Sequence, residues 1–237
     1  MKERLEVSTT DRNDFNTSSS HSCVIPLSNR YYNVKNIKLV NAQIPLTFYA
    51  FNSSNNIIHT NLGNATIIAG NYNANELCSH MKSILDTATS ATWTITYSKY
   101  TNKFTFVCTS AYIFQFSNAN SACYNLGFPP VNTTSGTTNT STRSINITGE
   151  LNCYLRISQF STPDMHTVAG VFFNFKIPIT QAYNNIEFYE NQGNDNIEDV
   201  DIRCLSILNV KLLKYDGTDF DLNNSDFSFL LELETNN

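Results

Sequence analysis

The segment Lys35–Asn56, KNIKLVNAQIPLTFYAFNSSNN, decides how this chain is read. Apolar side chains stand at Ile37 and Leu39, after which the alternation changes phase and resumes at Val40, Ala42 and Ile44. Successive strand residues point to opposite faces, so one extra residue, a β-bulge, keeps the apolar set on a single face through the change. Pro45 has no N–H to give a ladder and ends the strand. Tyr49 and the Asn/Ser run at 52–56 then read as an exposed crossing rather than a helix.

The same period-two pattern recurs along the rest of the chain. Trp93, Ile95 and Tyr97 alternate with Thr94 and Thr96, Phe104 and Phe106 alternate with Lys103 and Thr105, and Tyr100–Asn102 between them makes a hairpin turn. Tyr112, Phe114 and Phe116 form a short strand. Tyr154, Arg156 and Ser158 oppose Leu155 and Ile157; Phe173, Phe175, Ile177 and Ile179 share one face; Ile186 and Phe188 repeat the apolar spacing. The clearest strands carry Leu208, Val210 and Leu212, then Phe227, Phe229, Leu231 and Leu233, with a polar turn starting at Asp216–Gly217 between them. About ten or more short strands with polar connections predict an all-β fold, an antiparallel sandwich or barrel.

One helix interrupts the strands. In GNYNANELCSHMKSILD, Asn73 is placed to cap it and Glu76 to complete a capping box. Leu77, Met81, Ile84 and Leu85 lie on one face of it. Gly70 is expected to supply an unusual backbone angle ahead of the helix. A shorter helical turn is predicted over Asn120–Leu126, closed by Gly127. The stretch Pro129–Arg143, almost without apolar residues, is expected to be a long exposed loop. The organisation expected is an N-terminal arm, residues 1–20 with a flexible run at Asn16–Ser20, and one domain over 21–237 around a single core.

Composition narrows the function. Charged residues make up 15% of the 237, well under the usual quarter or so, and the net charge is −5. A chain so poor in clustered Lys and Arg lacks the electrostatic footprint of a nucleic-acid binder. No run approaches the roughly 20 apolar residues of a membrane-spanning helix, and the charged start MKERLEVSTTDRND has no secretory h-region. An intracellularly made, soluble protein is expected. Six dispersed cysteines, with no C-x-x-C pair, are expected to be reduced and mostly buried. The N-x-[ST] sequons at Asn16, Asn52, Asn64, Asn132, Asn139 and Asn146 are expected to stay unmodified.

Catalytic chemistry has no residues to rest on. The four histidines make neither an H-x-H nor an H-E-x-x-H pair, and no nucleophile-elbow or phosphate-loop motif occurs. The run Asp219, Asp221, Asn223, Asn224 starts like a calcium loop but has Asn224 where Gly is required and Leu230 where Glu is required, so a polar turn is expected. Glu198, Asp199 and Asp201 could hold calcium at a subunit contact, with a solvated loop the simpler reading. No enzyme activity, cofactor, metal or small-molecule substrate is expected.

Taken in order, several short motifs resemble one family. They are Ser8–Arg12, Ala42-Gln43-Ile44-Pro45 with Thr47-Phe48-Tyr49, Asn55-Asn56, Gly70-Asn71-Tyr72, Leu126-Gly127-Phe128, Ile177-Pro178-Ile179, Asp216-Gly217, Asp221-Leu222-Asn223 and Phe227-Ser228-Phe229. The chain from about Leu5 to Leu233 resembles the single jelly-roll minor capsid and penton proteins of large double-stranded DNA viruses, virophages and Polinton-like elements. That resemblance implies a jelly-roll sandwich of two four-stranded antiparallel sheets, with the helix and long polar loops as decoration. It implies a penton at the fivefold vertex of an icosahedral capsid, a homopentamer contacting the major capsid protein, located in the virion and assembled in the infected host cell. Pro45, Tyr49, Gly70, Tyr72, Asn73 and Glu76 are the candidate structural positions. Two alternatives stay open. One is a minor or cement capsid protein of the same fold; the other is a carbohydrate-binding β-sandwich using Tyr31, Tyr32 or Tyr183 as stacking platforms.

Overall fold

A computed structural model describes residues 1–14, 19–160, 165–168, 170–193 and 197–236. In chain order the elements are β1 (Lys2–Ser8), β2 (Ser22–Pro45), β3 (Ile57–Thr60), β4 (Gly63–Thr66), α1 (Ala74–Thr89), β5 (Trp93–Ser98), β6 (Lys103–Tyr112), β7 (Gly136–Thr140), β8 (Asn152–Ile157), β9 (Phe175–Pro178), β10 (Ile186–Glu190), β11 (Ile197–Leu213) and β12 (Ser228–Thr235). They separate into two compact units, Met1–Phe48 with Glu150–Asn237, and Tyr49–Gly149.

In the first unit the strands hydrogen-bond in the order β1-β12-β2-β11-β8-β9, with β10 also on β2, all antiparallel. The bulge read from the sequence is there: Asn41 faces Leu230 and Leu39 faces Leu231, leaving Val40 as the extra residue. Burial accordingly passes from Ile37 and Leu39 to Ala42 and Ile44, each at most 1% exposed. Val40, expected on the inward face, is instead the half-buried bulge residue. Its carbonyl accepts the Asn191 N–H at 2.9 Å, and Asn191 Nδ2 donates to the Leu39 carbonyl at 3.0 Å, so the carbonyls at the bulge are satisfied.

One cluster joins Ile37, Leu39 and Ile44 of β2 to Leu155 of β8, Phe175 of β9, Leu208 of β11 and Leu231 of β12. Strands from both ends of the sheet meet in it, which is how the sheet wraps its own core as a sandwich. Two separate four-stranded sheets were expected; the first unit is one continuous seven-stranded sheet. The reason lies in the long strands β2 and β11, whose irregular registers let them bend rather than break. Within the expected N-terminal arm, Lys2–Ser8 pairs along its whole length with β12. Arg12 ties down the following turn, donating to the Thr9 carbonyl at 2.7 Å and to Asp226. The expected flexible run at Asn16–Ser20 falls mostly outside the described residues.

The second unit has its own core, where the sequence predicted one for the whole chain. Its hairpin β3–β4 and its sheet β5-β6-β7 accompany α1, which packs on β4 and β5 through Leu77, Met81 and Leu85. The core is aromatic: Trp93, Phe104, Phe106, Tyr112, Phe114, Phe116 and Phe128 are all at most 2% exposed. Their rings meet edge-on, as in Phe106–Phe114 at 5.0 Å, or stacked, as in Phe114–Phe116 at 4.7 Å. The helical turn before Gly127 closes with Gly127 N–H on the Tyr124 carbonyl and Phe128 N–H on the Cys123 carbonyl, a Schellman pair with Gly127 at φ +76°. The predicted loop Pro129–Arg143 contains β7, which pairs with β6. β7 is a largely exposed edge strand of Thr and Asn, so it carries no apolar alternation, and its cross-strand Thr105–Thr140 hydroxyl contact of 3.0 Å replaces that signal.

Candidate assembly surface

The feature of the first unit that stands out chemically is β10. Its alternation is inverted: Glu187 is buried at 4% exposure, while Ile186 and Phe188 are 61% and 55% exposed. Sequence periodicity places Ile186 and Phe188 inward, and the structure corrects that reading. The cause is the turn before the strand, which aims three donors at the Glu187 carboxylate: Thr180 N–H at 2.6 Å, Thr180 Oγ1 at 2.9 Å and Gln181 N–H at 2.9 Å. A carboxylate so bonded can be buried, and slipping the strand by one residue would orphan those donors. Full burial of each displaced apolar side chain would contribute about 1.5–3 kcal/mol, so the fold forgoes stability to hold them outward. Opposite them on β2, Pro45 faces Ile186 and Gln43 faces Phe188. β10 pairs with β2 on one side, and among the described residues its other edge is unpaired.

Of the candidate structural positions, Pro45 ends β2 in the first unit, and Tyr49, Gly70, Tyr72, Asn73 and Glu76 lie in the second. Gly70, at φ +157°, exchanges backbone hydrogen bonds with Phe51 at 2.9 and 3.1 Å. Tyr72 stacks on His80 at 5.3 Å, meets Phe51 edge-on at 5.9 Å, and donates its hydroxyl to the Ile68 carbonyl at 2.7 Å. Burial pushes its pKa up. His80 Nε2 accepts the Ile68 N–H at 3.2 Å, and burial pushes that imidazole down. Asn73 accepts from the N–H groups of Asn75 and Glu76, and Glu76 Oε2 accepts from Asn73 N–H at 2.9 Å. The structure thus gathers Gly70, Tyr72, Asn73 and Glu76 at the start of α1. Tyr49 stands at the beginning of this unit, 45% exposed.

No family model matches the chain, and no curated protein matches it in sequence. Its structure does find counterparts. The mavirus penton protein superposes with a TM-score of 0.56 over 100% of both chains, at 10% identity. The chain has the penton-type jelly-roll fold. A chain of the Sputnik virophage, from a 3.5 Å cryo-microscopy structure, aligns over 99% of this chain and 98% of its own at 9% identity and a TM-score of 0.49. At such identity the penton fold is what is shared, and side-chain chemistry has to be read from this chain alone.

That chemistry is sparse on this copy of the penton fold. Among the described residues no group of three or more His, Cys, Asp or Glu side chains could hold a metal ion. His21 comes nearest: Asp219 and Asp221 lie 3.8 and 3.6 Å from its two ring nitrogens, on opposite sides of the ring. Asp221 also accepts the Asn223 N–H at 2.8 Å, the bond of a polar turn. Asp201 pairs with Lys35, and the Glu198 side chain lies outside the description. The described cysteines are free; burial pushes Cys23 and Cys78 up to about 11 and Cys153 further still. Tyr31 and Tyr32, two of the stacking platforms considered, line an open groove of about 680 Å³ with Asn29, Arg30, Asn33 and Glu3. Tyr183 is half-buried on the turn before β10. Sequence reasoning missed β10 as a surface because Ile186 and Phe188 read as core; the Glu187 between them was the signal.

Proposed function

We propose that this chain is a structural protein of an icosahedral viral capsid, a penton that closes the fivefold vertices as a homopentamer and contacts the major capsid protein. The observation that carries the reading is β10, where the fold buries a glutamate and presents Ile186 and Phe188 at an unpaired sheet edge. A face held apolar at a cost in stability is a face made to be covered. The shared penton fold supports the kind of assembly, and the low charge suits subunit contacts that desolvate few ions. The chain then acts by packing and not by catalysis, takes no cofactor or nucleic acid, and resides in the virion after assembly in the infected cell. A cement role in the same shell would use the same face without fivefold closure. The carbohydrate reading has the Tyr31/Tyr32 groove in its favour, and glycan-array binding by a protein that never assembles would establish it in place of the penton.

Mass photometry of the purified protein should show particles of five times the chain mass. The double substitution Ile186→Asp with Phe188→Asp should abolish them while leaving the melting temperature within about 2 °C, since both side chains are exposed in the single chain. A wild-type protein that stays monomeric at tens of micromolar and leaves no density in particles would overturn the proposal.

A further inference from the structure

Two like charges stand side by side on the outward face of the first unit. Lys211 of β11 lies directly opposite Arg156 of β8, both exposed. Like charges in direct register are destabilising, and neither has an ion-pair partner among the described residues. Of the acids that follow β11, Asp216 accepts from the Thr218 N–H and hydroxyl, and Asp219 and Asp221 face the ring of His21.

The complementary group is acidic. Glu190 follows Ile186 and Phe188 on the outward face of β10, and Asp199 is exposed near the start of β11. Neither has an ion-pair partner among the described residues, whereas Asp201 beside them is engaged by Lys35. Asp199 and Lys211 sit on the same strand, up to roughly 40 Å apart along it at about 3.3 Å per residue. Even half that span exceeds the Debye length of about 8 Å, so the two groups are largely screened from each other within one copy.

We infer that copies of this chain meet head to tail, the Lys211/Arg156 face of one against the Ile186–Phe188–Glu190 strand and Asp199 of the next. The inference rests on the assembly reading above and names its contact. The opposite charges stand on two different patches, so a heterologous contact matches them and propagates around a ring once the rotation closes.

The test is charge reversal read by mass photometry and sedimentation velocity. Lys211→Glu with Arg156→Glu, or Glu190→Lys with Asp199→Lys, should each raise the concentration for half-assembly at least tenfold. The four changes together in one chain should bring it back to within about threefold of wild type. The neutral pair Lys211→Gln with Arg156→Gln, expected to weaken assembly less, serves should the reversed pair fail to fold. Wild-type rings with either reversed pair still assembling normally, or with no recovery in the fourfold variant, would refute this contact and leave the capsid reading standing. A wild type that never assembles removes both.

Discussion

Gly127 offers the sharpest test of how the second unit is built. Its φ of +76° is left-handed, where an L-side chain costs about 1–2 kcal/mol. A Cβ there would lie 2.4 Å from the Arg143 carbonyl oxygen, 3.2 Å from its carbon and 3.1 Å from Ser141 Cβ. The neighbouring segment cannot simply retreat. Arg143 N–H donates to the Gly127 carbonyl at 2.9 Å, and Ser141 Oγ donates to the Leu126 carbonyl at 2.6 Å. Relieving the contact means stretching those bonds, each contributing about 1 kcal/mol, or accepting overpacking at about 1–3 kcal/mol. Gly127→Ala should therefore destabilise by about 2–5 kcal/mol. For a chain of this length that is a fall of roughly 4–20 °C in melting temperature, measured by circular dichroism or scanning calorimetry. Gly136→Ala is the control: Gly136 lacks a positive φ, and the nearest atom to its Cβ would be the Thr138 carbonyl oxygen at 3.8 Å. It should stay within about 0.5 kcal/mol of wild type. Equal melting of Gly127→Ala and wild type, or equal losses in both variants, would refute the close-approach account.

Asn73→Ala removes the acceptor for two helix N–H groups and should cost about 1 kcal/mol in urea denaturation; no change would mean the cap is redundant. Burial raises the pKa of Glu150 above its ordinary value, with Lys214 opposing, so ionising it in the folded chain is unfavourable. Because a raised pKa contributes stability only below the unfolded value, Glu150→Gln should be more stable than wild type at pH 7. That advantage should vanish below about pH 4.5, where the carboxyl is protonated in both states, and a pH-independent difference would contradict the assignment. Native-state labelling with a thiol disulfide reagent at pH 8 should modify exposed Cys204 rapidly and leave Cys23, Cys108, Cys123 and Cys153 until unfolding. Fast modification of four or more thiols would show that the cores open readily.

The readable parts of this molecule are those governed by local geometry. The phase change at Val40, the alternation of Phe227 to Leu233, the capping box of Asn73 and Glu76 and the glycine stop at Gly127 each involve residues a few positions apart, and each is present. β7 was illegible because an exposed edge strand needs no apolar face, and its pairing with β6 spans some thirty residues. The division into two cores was illegible because the first of the two crossings, Phe48–Tyr49, falls within an apolar stretch that carries no linker composition. At β10 the periodicity was present and pointed the wrong way, since it cannot register the three donors that draw Glu187 inward.

Sequence by itself determined the all-β class, the faces of strands such as β12, the capped helix and the poverty of catalytic groups, because side-chain alternation and capping are properties of the backbone within one segment. Only the tertiary structure decided which segments lie side by side. β11 and β12 follow each other in the chain yet flank β2 on opposite sides, and β10 turns its apolar residues to solvent. Those choices are made by hydrogen bonds between distant strands and by donors converging on one carboxylate, and no period along the chain encodes them.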